Sequence, residues 1–133
     1  MAGYSGTPLP RKLGIAAGQT VLLDGAPEDF ELAGLSDGVT VHRRVAAGPY
    51  EVIVCFCLDL ARLRRRWPSL HLRTTVAGAL WVAWPKRSSG VSTDLDENVV
   101  RDYALANGRV DVKVCAIDEV WSGLKHVIRK VDR

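Results

Sequence analysis

The sequence predicts an α/β sandwich of three layers built on a mostly parallel sheet, and three observations predict it. Two runs, YEVIVCFCL (50–58) and GALWVAWP (78–85), are apolar throughout with no alternation, the pattern of strands covered on both faces. Segments with helical spacing and helix punctuation follow each of them. The chain then closes on strictly alternating residues, which suit an antiparallel hairpin.

Taken in order, residues 1–12 are rich in Gly, Pro and Ser and read as an N-terminal arm, with a turn of helix at 10–13. Val21 to Leu23 form a short buried strand, stopped by Gly25 and Pro27. PEDFELAGL (27–35) can then wind into one or two helical turns, and GVTVHRR (38–44) alternates as a less buried strand. After the central strand at 50–58, DLARLRRRW (59–67) sets Leu60, Leu63 and Trp67 at helical spacing, and Pro68 is expected to end that helix. Following 78–85, Thr93 and Asp96 resemble a capping box, acids crowd the first turn, and Gly108 stands at the C-terminal cap of a helix. Leu95, Val99, Val100, Tyr103 and Ala106 form its apolar stripe. Val110, Val112, Val114 and Ala116 alternate along a strand, EVWSG (119–123) turns, and LKHVIRKV (124–131) returns. Three layers ending in a hairpin make a Rossmann-like, methyltransferase-like order, and a fold carries no function by itself.

At 133 residues the chain fits one domain, 1–133, large enough to hold its own core. Apolar residues at 47% and charged residues at 25% place it among globular proteins. No apolar run approaches the roughly 20 residues of a membrane span, so no membrane partner is expected. A net charge of +3 is too small to argue for nucleic acid. The four arginines of RLRRR (62–66) read as the solvated face of an amphipathic helix. Three cysteines and no secretory signal point to reduced thiols in a cytoplasm.

Ligands of open α/β sheets bind beyond the carboxyl ends of the parallel strands, which is where residues 84–93 fall. Lys86 and Arg87 supply charge, Ser88, Ser89 and Thr93 supply hydroxyls, Trp84 supplies a wall, and the next helix offers free amides for a small anionic ligand. Asp94, Asp96 and Glu97 oppose an anion there, and a capped, solvated turn explains the same residues. A secondary cluster comprises Tyr4, Ser5 and Thr7 of the arm with Cys115, Asp118, Trp121 and Lys125. A Cys115–His126 nucleophile–base pair would need the two to face each other across the hairpin, while an Asp118–Lys125 cross-strand pair is the plain alternative. Cys55 and Cys57 share a strand face, but no CxxC or HxxxH accompanies them, so no metal is expected. No cofactor is expected either, because LLDGAPED lacks the glycine-rich cradle of dinucleotide or S-adenosylmethionine sites.

The stretches GYSGTPLPRKLGI, LWVAWPKRSSGVSTDLDENVVRDYALANG and RVDVKVCAIDEVWSGLKHVIRK resemble an uncharacterised bacterial family of small cytosolic α/β proteins, a domain of unknown function. The likeness is specific in the last half and holds only in pattern over 28–75. It implies a bacterial cytosolic protein and brings no activity with it. Three readings follow: a non-catalytic module binding a small anion or nucleotide, which the residues favour; a small enzyme using Cys115, Asp118, Lys125 and His126; and a homodimeric interaction protein.

Overall fold

In a computed structural model the chain is described from Gly6 to Arg133. Six strands, β1 (Thr20–Asp24), β2 (Thr40–His42), β3 (Tyr50–Phe56), β4 (Thr74–Pro85), β5 (Val110–Ala116) and β6 (Trp121–Val127), form one sheet in the order β2-β1-β3-β4-β6-β5. The first four are mutually parallel, and β6 and β5 add antiparallel at one edge. The expected architecture is present.

Burial follows from that order. β3 is flanked on both sides, and Val52, Ile53, Val54, Cys55 and Phe56 are all buried, their side chains dividing between two cores. On one face Leu22, Ile53, Leu80, Val82 and Leu124 pack under α2 (Leu60–His71) and α3 (Glu97–Ala106). On the other, Leu23, Val54, Phe56 and Trp81 meet the short helix α1 (Leu9–Leu13) and Phe30 of the long loop after β1. Trp81, fully buried, donates its indole N–H to the Leu13 carbonyl at 3.1 Å and so fastens α1 to the sheet.

Several local expectations need correction. No helix forms at 27–35; the segment is a loop, and Arg43 holds it by donating to the carbonyls of Phe30 (2.8 Å) and Pro27 (2.7 Å). Pro68 does not end α2, which runs on to His71 because Leu70 joins Leu63 and Trp67 in the core. β4 begins at Thr74, four residues before the apolar run that predicts it. Trp121, Ser122 and Gly123 belong to β6, so the turn is only 117–120. At the edge, a register shift between Asp111 and Lys113 leaves Val112 out of the pairing, and Val112 and Val114 stay exposed beside Lys113. A bulge and a charge are devices that discourage further strand pairing.

Candidate functional site

The order β2-β1-β3 makes the crevice beyond β1 and β3 the point where chain direction across the sheet reverses, the usual ligand position in such sheets. Asp24 closes β1 there, opposite Cys55 of β3. α2 enters with Asp59 as N-cap, its side chain accepting from the Arg62 amide, and turns Arg62 and Arg66, four residues apart, toward the strand ends. Arg66 donates to both carboxylate oxygens of Asp24 (3.0 and 2.9 Å), and Arg62 adds a third bond at 2.9 Å and a fourth to the Phe56 carbonyl at 2.8 Å. The RLRRR run is therefore no uniform solvated face: Arg64 and Arg65 are exposed, while Arg62 and Arg66 serve a nearly buried acid. Beneath them the Cys55 and Cys57 sulfurs lie 3.5 Å apart. Their shared hydrogen bond, burial and the charge of Asp24 push the Cys55 thiol well above its usual range, so it stays protonated and inert. Sequence reading missed this cluster. Its signal was an acid ending an apolar strand together with arginines at i and i+4.

The predicted loop beyond β4 encloses a second concavity. Lys86 continues the β4–β6 ladder through its amide to the Val120 carbonyl (2.7 Å), and a 3-10 turn over Arg87–Ser89 ends at Gly90 in left-handed backbone (φ 75°). A cavity of about 480 Å³ follows, lined by Trp84, Arg87, Thr93, Leu95 and the acids Asp94 and Asp96, among others. Of the expected residues, Trp84, Arg87 and Thr93 face it, whereas Lys86, Ser88 and Ser89 are not among its lining. Ser89 is committed to the turn, donating to the Lys86 carbonyl (2.6 Å) and accepting from the Val91 amide (3.1 Å). The expected Thr93 cap is replaced by Asp96, which accepts from Val99 N, and Thr93 accepts from Leu95 N instead. Asp94 reaches across to accept from Leu60 N at 2.8 Å, a second cap for α2.

The secondary cluster is not brought together. Tyr4 and Ser5 lie outside the described residues. Cys115 pairs with Gly123, not with His126, which pairs with Asp111. Burial raises the Cys115 thiol. His126 is fully buried against Trp67, and its Nδ1–H donates to the Leu80 carbonyl (3.1 Å). Asp118 accepts from the Val120 and Trp121 amides (both 2.8 Å) and so shapes the turn, while Lys125 pairs with Lys113. The geometry thus offers no Cys–His pair and no Asp118–Lys125 pair. Thr7 and Trp121 instead line two adjoining hollows.

An rRNA methylase from Streptococcus thermophilus shares this fold. The two superpose with a TM-score of 0.56 at 9% identity, over 96% of this chain and 100% of the methylase chain. That likeness shows the fold alone. The sequence matches no protein-family model and no curated protein. The residues at the reversal point do not fit the S-adenosylmethionine or dinucleotide site that such a fold implies. Gly25 (φ 74°) is the one glycine of the first turn, and a Cβ there would stand 2.2 Å from Arg62 Nη2. That glycine makes room for the protein's own guanidinium.

Proposed function

We propose that this chain is a non-catalytic small-ligand-binding module of the bacterial cytoplasm, holding its ligand in the Trp84–Asp96 hollow. What supports the reading is the cavity itself, about 480 Å³ beyond the carboxyl end of β4, within the size range of small-molecule sites. Arg87, exposed on its rim, is the cation among its lining residues, and Gly90 leaves backbone open, since a Cβ there would meet nothing within 4 Å. Asp94 and Asp96 each give one oxygen to a helix N-terminus, Leu60 N and Val99 N. The ligand that suits this lining is small and polar and carries a single anionic group for Arg87, with Trp84 as the wall beside it. A polyphosphate would meet too many carboxylates.

The test is titration of adenosine 5′-monophosphate and of inorganic phosphate, followed by amide and indole NMR shifts. Saturable shifts at Trp84, Gly90 and Thr93 are expected. Arg87→Ala should weaken them about tenfold or more while Tm moves by no more than about 2 °C. Absence of saturable shifts in the wild type, or an unchanged affinity in the variant, would overturn the reading.

A further inference from the structure

On the opposite face of the sheet, the loop after β1, the start of α1 and the β5–β6 turn surround a second concavity that owes nothing to the Trp84 hollow. It consists of two cavities of about 410 and 510 Å³ that share Leu9, Glu31 and Ile117 and so form one trough. Its floor is built. Phe30 and Trp121 sit edge-on against Phe56 (ring centroids 5.0 and 5.1 Å), and Arg43 pins the backbone on both sides of Phe30's turn. Charge along the trough is uneven. Asp29 and Asp118 line one half, Lys12 lines the other and donates its ammonium to the Ala116 carbonyl at 3.3 Å, and Glu31 lines both.

We infer that this trough is a binding site for a small organic cation, an amine on a flat or aliphatic apolar body, with its ammonium beside Asp29, Glu31 and Asp118 and its body along Leu9 and Ile117. Each part follows from the lining. Apolar walls with a few polar groups favour a small molecule of matching volume. Three acids around the aromatic end select a positive head group, which gains from the carboxylates. Asp118 spends one oxygen, Oδ1, on both turn amides, which leaves Oδ2 for a ligand. Lys12 at the far end rejects a second cation and fixes which way the ligand lies.

Tryptamine and indole-3-propionate separate the elements of this inference, since they share a ring and differ in charge. Tryptamine should shift the Trp121 indole and the Ile117 and Glu31 amides saturably. It should bind about tenfold or more tightly than indole-3-propionate at neutral pH. The exposed pair Asp29→Asn with Glu31→Gln should erase that difference without loss of fold. Shifts gathered at Trp84 and Gly90 instead, equal binding of both probes, or no saturation with tryptamine would each overturn the assignment. Because the residues reporting on the two hollows do not overlap, failure here and failure of the anion reading are distinguishable.

Discussion

Asp24 ends an apolar strand, and its carboxylate meets two guanidiniums while its side chain is only 10% exposed. A buried acid costs several kcal/mol to desolvate unless such partners hold it, and removing one member leaves the others stranded. Asp24→Asn should therefore lower stability by about 2–3 kcal/mol, somewhat below the roughly 3–5 kcal/mol of a fully buried pair because both arginines keep some solvent. Urea denaturation checks this, and an unchanged midpoint would show that the arginines find water as readily as Asp24. Arg109 solves a similar problem differently. It is 1% exposed, and its guanidinium is hydrogen-bonded to the carbonyls of His71, Gly78 and His126 and to Thr74 Oγ1. The negative end of α2 supplies the balancing potential, and burial still pushes its pKa down to about 10. The sequence carries a local signal for the first arrangement, but it does not show the pairing in either, because each joins residues 38 positions apart.

α2 shows what an element owes to its surroundings. Pro68 removes an amide and crowds the carbonyl one turn earlier, reason enough to expect a stop. The helix continues because Trp67 and Leu70 are buried and because the Trp67 indole donates to the Asn107 carbonyl at the end of α3 (3.2 Å). Tertiary packing outweighs the local penalty. Replacing the exposed Pro68 with Ala should then raise stability, by about 1–2 kcal/mol once the looser unfolded chain is counted. A lower urea midpoint in that variant would sink the explanation. By contrast α3 was legible in outline, with Val99, Val100, Tyr103 and Gly108 (φ 99°) standing where expected. Ala104 rather than the exposed Ala106 is buried, only Glu97 of the acids lies in the first turn, and the cap moved from Thr93 to Asp96.

For the molecule as a whole, layer order and sheet type were legible because both depend on periodicity, which each strand carries in itself. Strand β3 has no alternation and is covered twice; β6 sits between β4 and the edge and alternates in part. The candidate site was legible only as a location. Which of Lys86, Arg87, Ser88 and Ser89 face a cavity depends on a 3-10 turn that no pattern announces. Stability of the whole should depend on pH through two histidines, His126 fully buried and His71 partly so. Burial lowers His71 and takes His126 down to about 4, so the folded chain resists protons that the unfolded chain accepts near pH 6.5. Stability should be full above about pH 6.5 and fall as pH drops toward 4, by up to about 3 kcal/mol for His126. Urea midpoints at pH 7.5 and 5 test this, and His126→Asn should flatten the slope; a midpoint independent of pH would refute it.

Asp94 lines the Trp84 hollow and also receives the first amide of α2, the helix whose arginines grip Asp24. One carboxylate thus belongs to two neighbourhoods at once. A guest that drew it inward would unfasten the opening turn of that helix, whereas a guest that left it alone would stiffen the rim without disturbing the ion cluster, so occupancy of the hollow becomes readable at a distance through the backbone exchange rate of Leu60.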